Sequence, residues 1–417
     1  MTMRILIVTQ YIYPETFKSS DMAFELSKRG HVVEVLTGIP NYPQGHYYDG
    51  YGIFRKRIEK KNGVTFYRCF QTPRKLFPSI LGLSLNYISF VISASLWVIL
   101  YFIFKKKYDV IITHEPSPIT QILPAILLGK IKKTPVVSWI MDIWPDSVTD
   151  VVGKKTKSIL VPPLRYLTNI VYKHSNLLLI TSQGFKELIN REGDYSDKII
   201  YYPNWSYDMM ESSHDYKLPY LPDGFIIMVA GNLGESQNLD AVANTIIELK
   251  DEKELKWVFV GNGSRKDWLE HFVTINNLSD KVFIVGQHPP YAMPHFFRKA
   301  NAMLVSLSPG YKFLDATVPA RLQSYMSAGR PILGMLGSGG SEIINDSDCG
   351  YAVAPGNSHE LAMTIRDKVL KDKEAFETKG LNGRSYFEKN YKLSLCIDNL
   401  ESIIKKYFDT NTNHSCN

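Results

Sequence analysis

A glycine-rich turn in the second half of the chain has the composition of a phosphate-binding loop. It follows a predicted strand at 225–230 and precedes a predicted helix at 239–250. Its candidate ligand-binding residues are Gly231, Asn232, Leu233, Gly234 and Gln237. Glycine lets backbone N–H groups approach a ligand closely, and a helix N-terminus stabilises an anion by roughly 0.3–1 kcal/mol. The turn suits a diphosphate, although many α/β turns carry glycines for packing alone.

The next two predicted strands are also followed by residues that could bind a nucleotide. The segment 260–266 repeats the glycine turn and contains Asn262 and Arg265, whose guanidinium could reach a phosphate. One strand later, the exposed backbone of Gly286 and Gln287 could contact a nucleobase. Ligands of doubly wound folds bind beyond the carboxyl ends of the strands, so these loops are predicted to meet at one edge of a sheet.

A further cation of the second half is predicted to lie at the start of a helix. The segment 318–330 predicts a helix that ends near Gly329 and carries Arg321 in its first turn. A guanidinium can bind two phosphate oxygens at once, so Arg321 is our catalytic candidate for stabilising phosphate charge. The remaining polar candidates of this half are Gln323, Ser324 and Glu342.

In the first half of the chain the candidate groups are carboxylates. Asp142 and Asp146 follow a predicted strand at 135–140, where they could bind a ligand hydroxyl or cap the next helix. His114 is interpreted as a packing or hydrogen-bonding residue rather than as a base. No DxD segment presents itself as a metal site, and the histidines lack ligand spacing. We therefore predict neither a metal requirement nor another cofactor.

Short apolar runs alternate with helical patterns, which predicts parallel sheets covered by helices on both faces. The predicted strands are 4–9, 32–37, 64–68, 109–113, 135–140, 177–181, 225–230, 257–261, 282–286, 302–307, 331–335 and 350–353. A polar segment with several prolines, 203–224, is the predicted interdomain linker. We predict an α/β fold of two Rossmann-like doubly wound domains facing a central cleft. The predicted parts are 1–205, 206–385 and a helix at 386–406 that crosses back to the first domain.

The charge of the chain is divided unequally between its halves. The net charge is +7, with 26 basic and 15 acidic residues in 1–205 (+11) and 22 basic and 26 acidic residues in the remainder (−4). This asymmetry fits an anionic partner such as a membrane surface or a diphosphate lipid, or a solvated basic face. A nucleic-acid partner is not predicted, because no basic motif interleaved with aromatic residues is present.

Cysteine usage and the first residues predict a cytoplasmic location. The four cysteines are far apart and form no CxxC pair, which fits a reducing compartment. The N-terminal apolar run is six residues long, too short for the apolar region of a signal peptide, and is predicted to be a buried strand.

An uncharged apolar segment at 79–104 is followed directly by Lys105, Lys106 and Lys107. Its length would allow it to span a bilayer, which needs about 20 apolar residues. The predicted strands on both sides of it must share one sheet, however, which a single span would prevent. We predict a helix lying against the membrane face with the lysines on lipid headgroups. A helix buried in the domain core is the alternative.

Five segments, in this order along the chain, resemble the retaining GT-B glycosyltransferases of family 4. They are RGHVVEVLT at 29–37, TGIPNYPQG at 37–45, WIMDIWPDS at 139–147, YPNW at 202–205 and VPARLQSYMSAGRP at 318–331. The second and third are also similar to a narrower group, the amino-sugar transferases of bacterial O-antigen and capsule assembly, including L-fucosaminyl transferases. The resemblance covers nearly the whole chain.

The resemblance implies a role for each half of the chain. It implies that the second domain binds a nucleotide-sugar donor at the glycine turns and at Arg321. Because Asp142 follows a strand predicted to face the cleft, we expect it to bind the acceptor hydroxyl or the donor sugar. The implied acceptor-binding residues are Phe17, Lys18, Asn41, Tyr42, Trp144 and Asp146.

The chain departs from the family pattern at donor-binding positions. The E-x7-E pair of the broad family aligns with Ala316 and Ser324, and its diphosphate-binding Arg and Lys correspond to Asn232 and Gln237. We therefore expect Arg321, Lys18, Arg265 and backbone N–H groups to stabilise the charge of the donor phosphates.

The activity implied is the retaining transfer of an N-acetylated deoxy-hexosamine from a UDP-sugar to a polyprenyl-diphosphate-linked saccharide. It would serve surface polysaccharide assembly (O-antigen, capsule, lipopolysaccharide) at the inner face of the plasma membrane. One alternative is a UDP-sugar 2-epimerase of similar fold, which would not need the apolar segment. Another is a catalytically silent membrane-bound scaffold, favoured by the missing E-x7-E pair.

Overall fold

A computed structural model describes residues 2–77, 79–149, 154–211 and 215–414. The chain divides into two compact units. The first unit comprises Met1–Thr181, Phe185–Tyr202 and Ile397–Asn417, and the second comprises Ser182–Gly184 and Pro203–Cys396. Cys69, Cys349 and Cys396 are buried, while Cys416 lies outside the described residues.

The first unit is built on one eight-stranded sheet. Its strands are β1 (Arg4–Val8), β2 (Val32–Gly38), β3 (Ile58–Lys61), β4 (Val64–Cys69), β5 (Val110–Glu115), β6 (Val136–Ile140), β7 (Leu177–Ile180) and β8 (Ile199–Tyr201). Their order is β3-β4-β2-β1-β5-β6-β7-β8, and every pair is parallel except β3 with β4. The central strands are continuous apolar runs because helices cover both of their faces.

The helices of the first unit follow the strands in the βαβ manner. They are α1 (Lys18–Lys28), α2 (Ser79–Leu100), α3 (Leu123–Lys132), α4 (Asp146–Thr149), α5 (Lys154–His174) and α6 (Phe185–Asn190). The strand β3 is not predicted by the apolar pattern, because it is a charged edge strand whose side chains are mostly solvent-exposed.

Helix α2 has one protein-facing side and one exposed apolar side. Gly82, Asn86, Phe90, Ala94 and Val98, each four residues apart, are buried. The opposite side exposes large apolar residues, namely Leu81, Ile88, Ile92, Leu96, Ile99 and Leu100. The stretch Leu81–Phe104 is long and apolar enough to cross a membrane by length and composition alone, and most of its residues are not buried. Since α2 joins β4 to β5 of one sheet, we describe it as a surface helix.

The lysine run after α2 differs from its prediction in one residue. Lys105 does not face outward, because its ammonium group contacts the Glu34 carboxylate and lies 4.2 Å from the centre of the Tyr67 ring. Its side chain therefore stabilises the end of the sheet. Lys106 and Lys107 are exposed.

The second unit contains a six-stranded parallel sheet. Its strands are β9 (Phe225–Ala230), β10 (Leu255–Val260), β11 (Val282–Gly286), β12 (Ala302–Ser306), β13 (Ile332–Met335) and β14 (Gly350–Val353), in the order β11-β10-β9-β12-β13-β14. Its helices are α7 (Leu239–Glu248), α8 (Lys266–Ile275), α9 (Met293–Lys299), α10 (Lys312–Ala316), α11 (Ala320–Ser327), α12 (Ser338–Asp346), α13 (Ser358–Thr364), α14 (Lys373–Asn390) and α15 (Leu393–His414). From Ile397 onward, α15 belongs to the first unit. Two Rossmann-like α/β units confirm the predicted fold class.

Candidate functional site

The glycine turns after β9, β10 and β11 are bonded to one another through their backbones. The N–H of Gly231 donates to the carbonyl of Val260 at 2.8 Å, and that of Gly261 donates to the carbonyl of Gly286 at 2.8 Å. A Cβ atom on Gly261 would lie 1.8 Å from the carbonyl oxygen of Gly231. Gly261 also has φ +152°, so both its space and its backbone conformation require glycine.

These turns enclose a cavity of about 320 Å³, which we call the loop cavity. Its lining residues are Gly231, Asn232, Val260, Gly261, Asn262, Gln287, His288 and Met293. Four residues singled out from the sequence, Gly231, Asn232, Asn262 and Gln287, are thus brought together at the carboxyl ends of three adjacent strands. This is the place where open α/β sheets bind ligands.

Arg321 lies beside the loop cavity. Its Nη2 atom donates to the carbonyl of Asn232 at 3.2 Å, and it lies 3.6 Å from where a Cβ of Gly231 would be. Within the described part of the chain, the buried Nη1 atom has no hydrogen-bond partner. A buried N–H without a partner is costly, so an anion bound here would satisfy it.

A hydroxyl group fixes the helix that carries Arg321 to the central strand. The Tyr325 hydroxyl donates to the carbonyl of Ala230 and accepts from its N–H, both at 3.0 Å. Tyr325 is fully buried one turn after Arg321 on α11. The guanidinium is therefore held in place by the fold rather than by a flexible loop.

Arg265 has partners other than the loop cavity. Its Nη2 atom bonds to Asp240 at 2.7 Å, its Nη1 atom lies 3.5 Å from Glu235, and its guanidinium stacks 4.0 Å from the Trp268 ring centre. It does not line the loop cavity. Asp240 is 25 positions away in sequence, so the sequence gives no sign of this pairing.

The other predicted residues of the second unit are placed around the cavity or away from it. Leu233 is buried in the apolar core, and Gly286 contributes its carbonyl to the turn network. Gln237 is buried, with its carbonyl accepting from the Ser306 hydroxyl at 2.6 Å. Gly234 follows Leu233 and leads into a short 3-10 helix at Glu235–Gln237.

Three predicted residues on α11 and α12 do not reach the loop cavity. In the amide orientation that its neighbours require, Gln323 donates to the carbonyls of Pro319 and Ala320 at 3.2 and 3.0 Å. The Ser324 hydroxyl is hydrogen-bonded to that of Ser206 at 2.9 Å. Glu342 is exposed on α12. None of the three is among the residues that line the cavity.

His288 lines the loop cavity and is absent from the sequence-based candidates. Its Nε2 atom lies 3.0 Å from the Val285 carbonyl, and its Nδ1 atom lies 2.7 Å from the Tyr216 hydroxyl. A carbonyl only accepts, so Nε2 carries the proton and Nδ1 accepts from Tyr216. Its position directly after Gln287 is the one sequence signal that could have identified it.

In the first unit, the loops after β1 and β2 form an aromatic cluster. The Phe17 ring centre lies 5.6 Å from that of Tyr11 and 5.4 Å from that of Tyr42. The guanidinium of Arg74 lies 5.0 Å from the Tyr42 ring centre and 5.5 Å from the Tyr11 ring centre. We call Tyr11, Phe17, Tyr42 and Arg74 the aromatic cluster. Phe17 and Tyr42 were predicted from the sequence, whereas Tyr11 and Arg74 were not assigned to the site.

A buried carboxylate holds these two loops together. Glu15 Oε1 accepts from the N–H groups of Asn41 and Tyr42, both at 2.7 Å, and Oε2 accepts from that of Ile12 at 3.2 Å. Burial raises the pKa of Glu15 to about 7, against the lowering effect of these N–H donors. Asn41 is itself fully buried, with its amide donating to the Ile39 carbonyl. Asn41 therefore shapes the loop from within.

Two carboxyl groups stand at neighbouring strand ends. Glu115 ends β5, and Asp142 follows β6, whose last residue Ile140 pairs with Glu115. Burial raises the pKa of Asp142 to about 7. Burial, and then the charge of Asp142, raises the pKa of Glu115 well above its usual range. Asp142 is partly exposed, so it can exchange a proton with a ligand near neutral pH.

Trp144 and His114 have structural contacts. Trp144 is buried, and its Nε1 atom donates to the Ser117 hydroxyl at 3.1 Å. The His114 ring packs 4.9 Å from Trp139, and burial followed by the charge of Lys18 lowers its pKa to about 3. His114 is therefore neutral at physiological pH.

Lys18 and Asp146 each begin a helix. Lys18 is the first residue of α1, directly after Phe17, and Asp146 is the first residue of α4. Asp146 thus occupies a position where a carboxylate favours a helix N-terminus. Across the described residues, no group of three or more His, Cys, Asp or Glu is arranged to hold a metal ion.

Comparison with known proteins matches the second unit to a family and the whole chain to a fold. Residues 215–386 match the family model described as "Glycosyl transferases group 1". The chain is 26% identical over 335 residues to "Putative colanic acid biosynthesis glycosyl transferase WcaI" of Escherichia coli, covering 75% of this chain and 77% of that protein. It is 24% identical over 221 residues to an "Uncharacterized glycosyltransferase" of Methanocaldococcus jannaschii, covering 50% of this chain and 52% of that one.

Solved structures extend the likeness to almost the full length. The crystal structure of Anabaena HepE in complex with UDP aligns with a TM-score of 0.69 at 14% identity, over 97% of this chain and 100% of that one. Sucrose-phosphate synthase from Thermosynechococcus elongatus aligns with a TM-score of 0.72 at 14% identity, over 98% and 100%. At such identities the likeness concerns the fold.

Proposed function

We propose that this chain, a glycosyltransferase with the GT-B fold, transfers a sugar from a UDP-sugar to a polyprenyl-diphosphate-linked saccharide, with retention of the anomeric configuration. The observation that carries the proposal is the loop cavity with the guanidinium of Arg321 at its side. Its size of about 320 Å³ and its glycine turns suit a nucleoside diphosphate.

The donor is bound in the second unit. Backbone groups of the turns approach the diphosphate, and Arg321 supplies the positive charge that the leaving group requires. A well-placed hydrogen-bonding group such as this guanidinium contributes about 3 kcal/mol to transition-state stabilisation. Anabaena HepE, which shares this fold, was crystallised in complex with UDP, which supports a uridine nucleotide here. An N-acetylated deoxy-hexosamine is the sugar that the sequence resemblance implies.

The acceptor hydroxyl binds in the first unit. Asp142 accepts a hydrogen bond from it and takes its proton as the glycosidic bond forms, because its pKa of about 7 suits proton transfer at neutral pH. The aromatic cluster provides flat apolar surfaces for a sugar ring, and Arg74 provides a cation for a diphosphate.

The relative WcaI supports the proposed class of acceptor, and helix α2 supports the proposed location. The name of WcaI refers to colanic acid biosynthesis, which supports a role in surface polysaccharide assembly. The exposed apolar side of α2, with Lys106 and Lys107 after it, suits peripheral binding to an anionic membrane surface at its cytoplasmic side. A lipid-linked saccharide is a substrate available at such a surface.

Two measurements test this function. Millimolar UDP should raise the melting temperature, because a ligand that binds only the folded state stabilises it by about 2.7 kcal/mol at 100 times its Kd. Panels of UDP-sugars with a polyprenyl-diphosphate saccharide should then yield an extended lipid-linked product. An epimerised nucleotide sugar formed without acceptor would instead indicate the epimerase. Absence of both UDP stabilisation and transfer would overturn the proposal.

A further inference from the structure

An apolar groove of about 380 Å³ lies in the first unit beside the second half of α2. Most of its lining side chains are apolar, and they come from β3, from α2 and from the residues directly after β4 and α2. These apolar residues are Ile58, Phe70, Leu96, Trp97, Leu100 and Tyr101. We call it the α2 groove. Leu96 and Leu100 are 50% and 70% exposed, so the structure leaves considerable apolar surface uncovered.

We propose that the α2 groove binds the isoprenoid chain of the lipid-linked acceptor while Arg74 binds its diphosphate. This inference rests on the proposed function and specifies which part of the acceptor each element contacts.

The groove is preformed by packed aromatic residues. The Trp97 ring centre lies 6.1 Å from that of Tyr67 and 5.7 Å from that of Tyr101. The guanidinium of Arg57 lies 5.6 Å from the Trp97 ring centre, and its Nη1 atom donates to the Ile53 carbonyl at 2.7 Å. A groove with fixed walls binds a flexible chain at a lower entropic cost than a surface that must first become ordered.

The same helix connects the groove to the aromatic cluster. Asn86, in the first half of α2, accepts from the hydroxyl of Tyr11 at 2.6 Å. Its neighbour Tyr87 accepts from Arg74 Nη2 at 3.2 Å. At a rise of about 1.5 Å per residue, Tyr87 and Leu96 are about 13 Å apart along the helix axis, which a few isoprene units span.

Charge favours an amphiphile with an anionic head over an uncharged lipid. No carboxylate of the described residues forms an ion pair with Arg74, so its charge is available to an anion. The only acid of the basic stretch 55–61, Glu59, is already bound to Arg68 at 2.9 Å. A polyprenyl diphosphate combines the anionic head and the long apolar chain that these two regions require. The acyl chain of a bilayer lipid would use the groove alone.

The kinetic test compares two acceptors that carry the same saccharide diphosphate, one on a long isoprenoid and one on a short water-soluble alkyl chain. For the wild-type protein in mixed micelles, the long chain should give at least a ten-fold lower KM. Leu96→Glu/Leu100→Glu should abolish this preference while leaving kcat/KM for the short acceptor unchanged. Both side chains are largely exposed, so folding should tolerate the change. The matched control Leu81→Glu, on the same helix but outside the groove, should keep the preference.

A binding test works even without a transferable sugar. A benzophenone-bearing isoprenoid diphosphate should cross-link to residues 93–101, and unlabelled polyprenyl diphosphate should compete whereas phosphatidylglycerol should not. Equal competition by phosphatidylglycerol, or an unchanged chain-length preference in Leu96→Glu/Leu100→Glu, would overturn the inference. Absence of transfer to both acceptors would contradict the proposed function instead. The cross-linking experiment would still test whether the α2 groove binds an isoprenoid chain.

Discussion

Arg321 is the residue whose removal tests the donor side most directly. Arg321→Ala should lower kcat/KM at least ten-fold, because the guanidinium beside Gly231 and Asn232 is lost from the loop cavity. Steady-state kinetics with saturating acceptor measures this effect. Arg298→Ala, an exposed arginine at the end of α9, is the matched control and should leave activity unchanged. Unaltered kinetics in Arg321→Ala would remove Arg321 from the donor site.

Arg265→Ala should behave differently from Arg321→Ala. Arg265 is paired with Asp240 and stacked on Trp268, so its loss should change stability slightly and leave the KM for the donor within about three-fold. Thermal melts and donor titrations measure the two effects separately. A ten-fold rise in the KM for the donor would show that Arg265 leaves these partners when the nucleotide binds.

The pH profile of kcat/KM should have an acidic limb near neutral pH, which reports the ionisation of Asp142. Its pKa is about 7, and only the ionised carboxylate takes a proton, so the rate should rise about ten-fold per pH unit below that value. Asp142→Asn should lose at least ten-fold in kcat at pH 8 and should also lose the limb. A pH profile of kcat/KM measures both changes, and an identical profile in the variant would contradict the role of Asp142.

The same pKa has a consequence for stability. The folded-state pKa lies above the ordinary value of 3.8, so the folded protein binds this proton more tightly than the unfolded chain. The resulting stabilisation is complete below about pH 4 and is lost as pH rises through about 7. Asp142→Asn stays neutral, so its melting temperature should increase relative to that of wild type between pH 5 and pH 8. A constant difference across this range would contradict the raised pKa.

At the scale of elements, α2 combines a protein-facing side that also carries small and polar residues with an exposed apolar side. The protein-facing side explains its small and polar residues: a Cβ on Gly82 would lie 2.4 Å from the Arg74 carbonyl, and the Ser89 hydroxyl accepts from the Thr72 N–H at 2.8 Å. The Ser93 hydroxyl donates to the Phe70 carbonyl. These small and polar residues of α2 therefore belong to the side that packs on the domain.

The exposed side of α2 should bind membranes. Ile88→Glu/Ile92→Glu should lower binding to vesicles that contain phosphatidylglycerol at least five-fold, because two half-exposed apolar side chains become charged. Vesicle sedimentation measures the bound fraction. Leu381→Glu, an exposed leucine of the second unit, is the matched control and should bind as wild type does. Equal binding of both variants would contradict docking through α2.

At the scale of the whole molecule, the positive charge lies mainly in the first half of the chain, whereas the proposed nucleotide site lies in the second unit. The first half of the chain carries a net charge of +11 and the second half −4. If the loop cavity binds the donor diphosphate as proposed, it must therefore use local groups, Arg321 and the glycine turns, rather than a general positive field. Under the proposed function, transfer should persist in EDTA, because Arg321 and the turn N–H groups would supply the charge stabilisation. Transfer that stops in EDTA and returns with Mg²⁺ or Mn²⁺ would show that a cation shares this role.

Local backbone preference explains which parts of the fold could be predicted. Buried parallel strands are continuous apolar runs, so 225–230, 282–286 and 350–353 match β9, β11 and β14 residue for residue. Glycine at Gly261 is required by a close backbone approach, which makes the turn visible in the sequence. The edge strand β3 was missed, because a charged strand exposed to solvent lacks an apolar pattern.

The sequence by itself determined the α/β class, the succession of the glycine turns and the choice of Arg321 and Asp142 as candidates. Hydrophobic periodicity and glycine placement depend on residues only a few positions apart, so they can be seen in the sequence. Only the tertiary structure decided which polar groups are available to a ligand. It paired Lys105 with Glu34, turned Arg265 to Asp240, buried Trp144 against Ser117, and joined the loops of the aromatic cluster through Glu15. Each of these contacts joins residues far apart in sequence, so it depends on where the sheet brings the chain rather than on local composition.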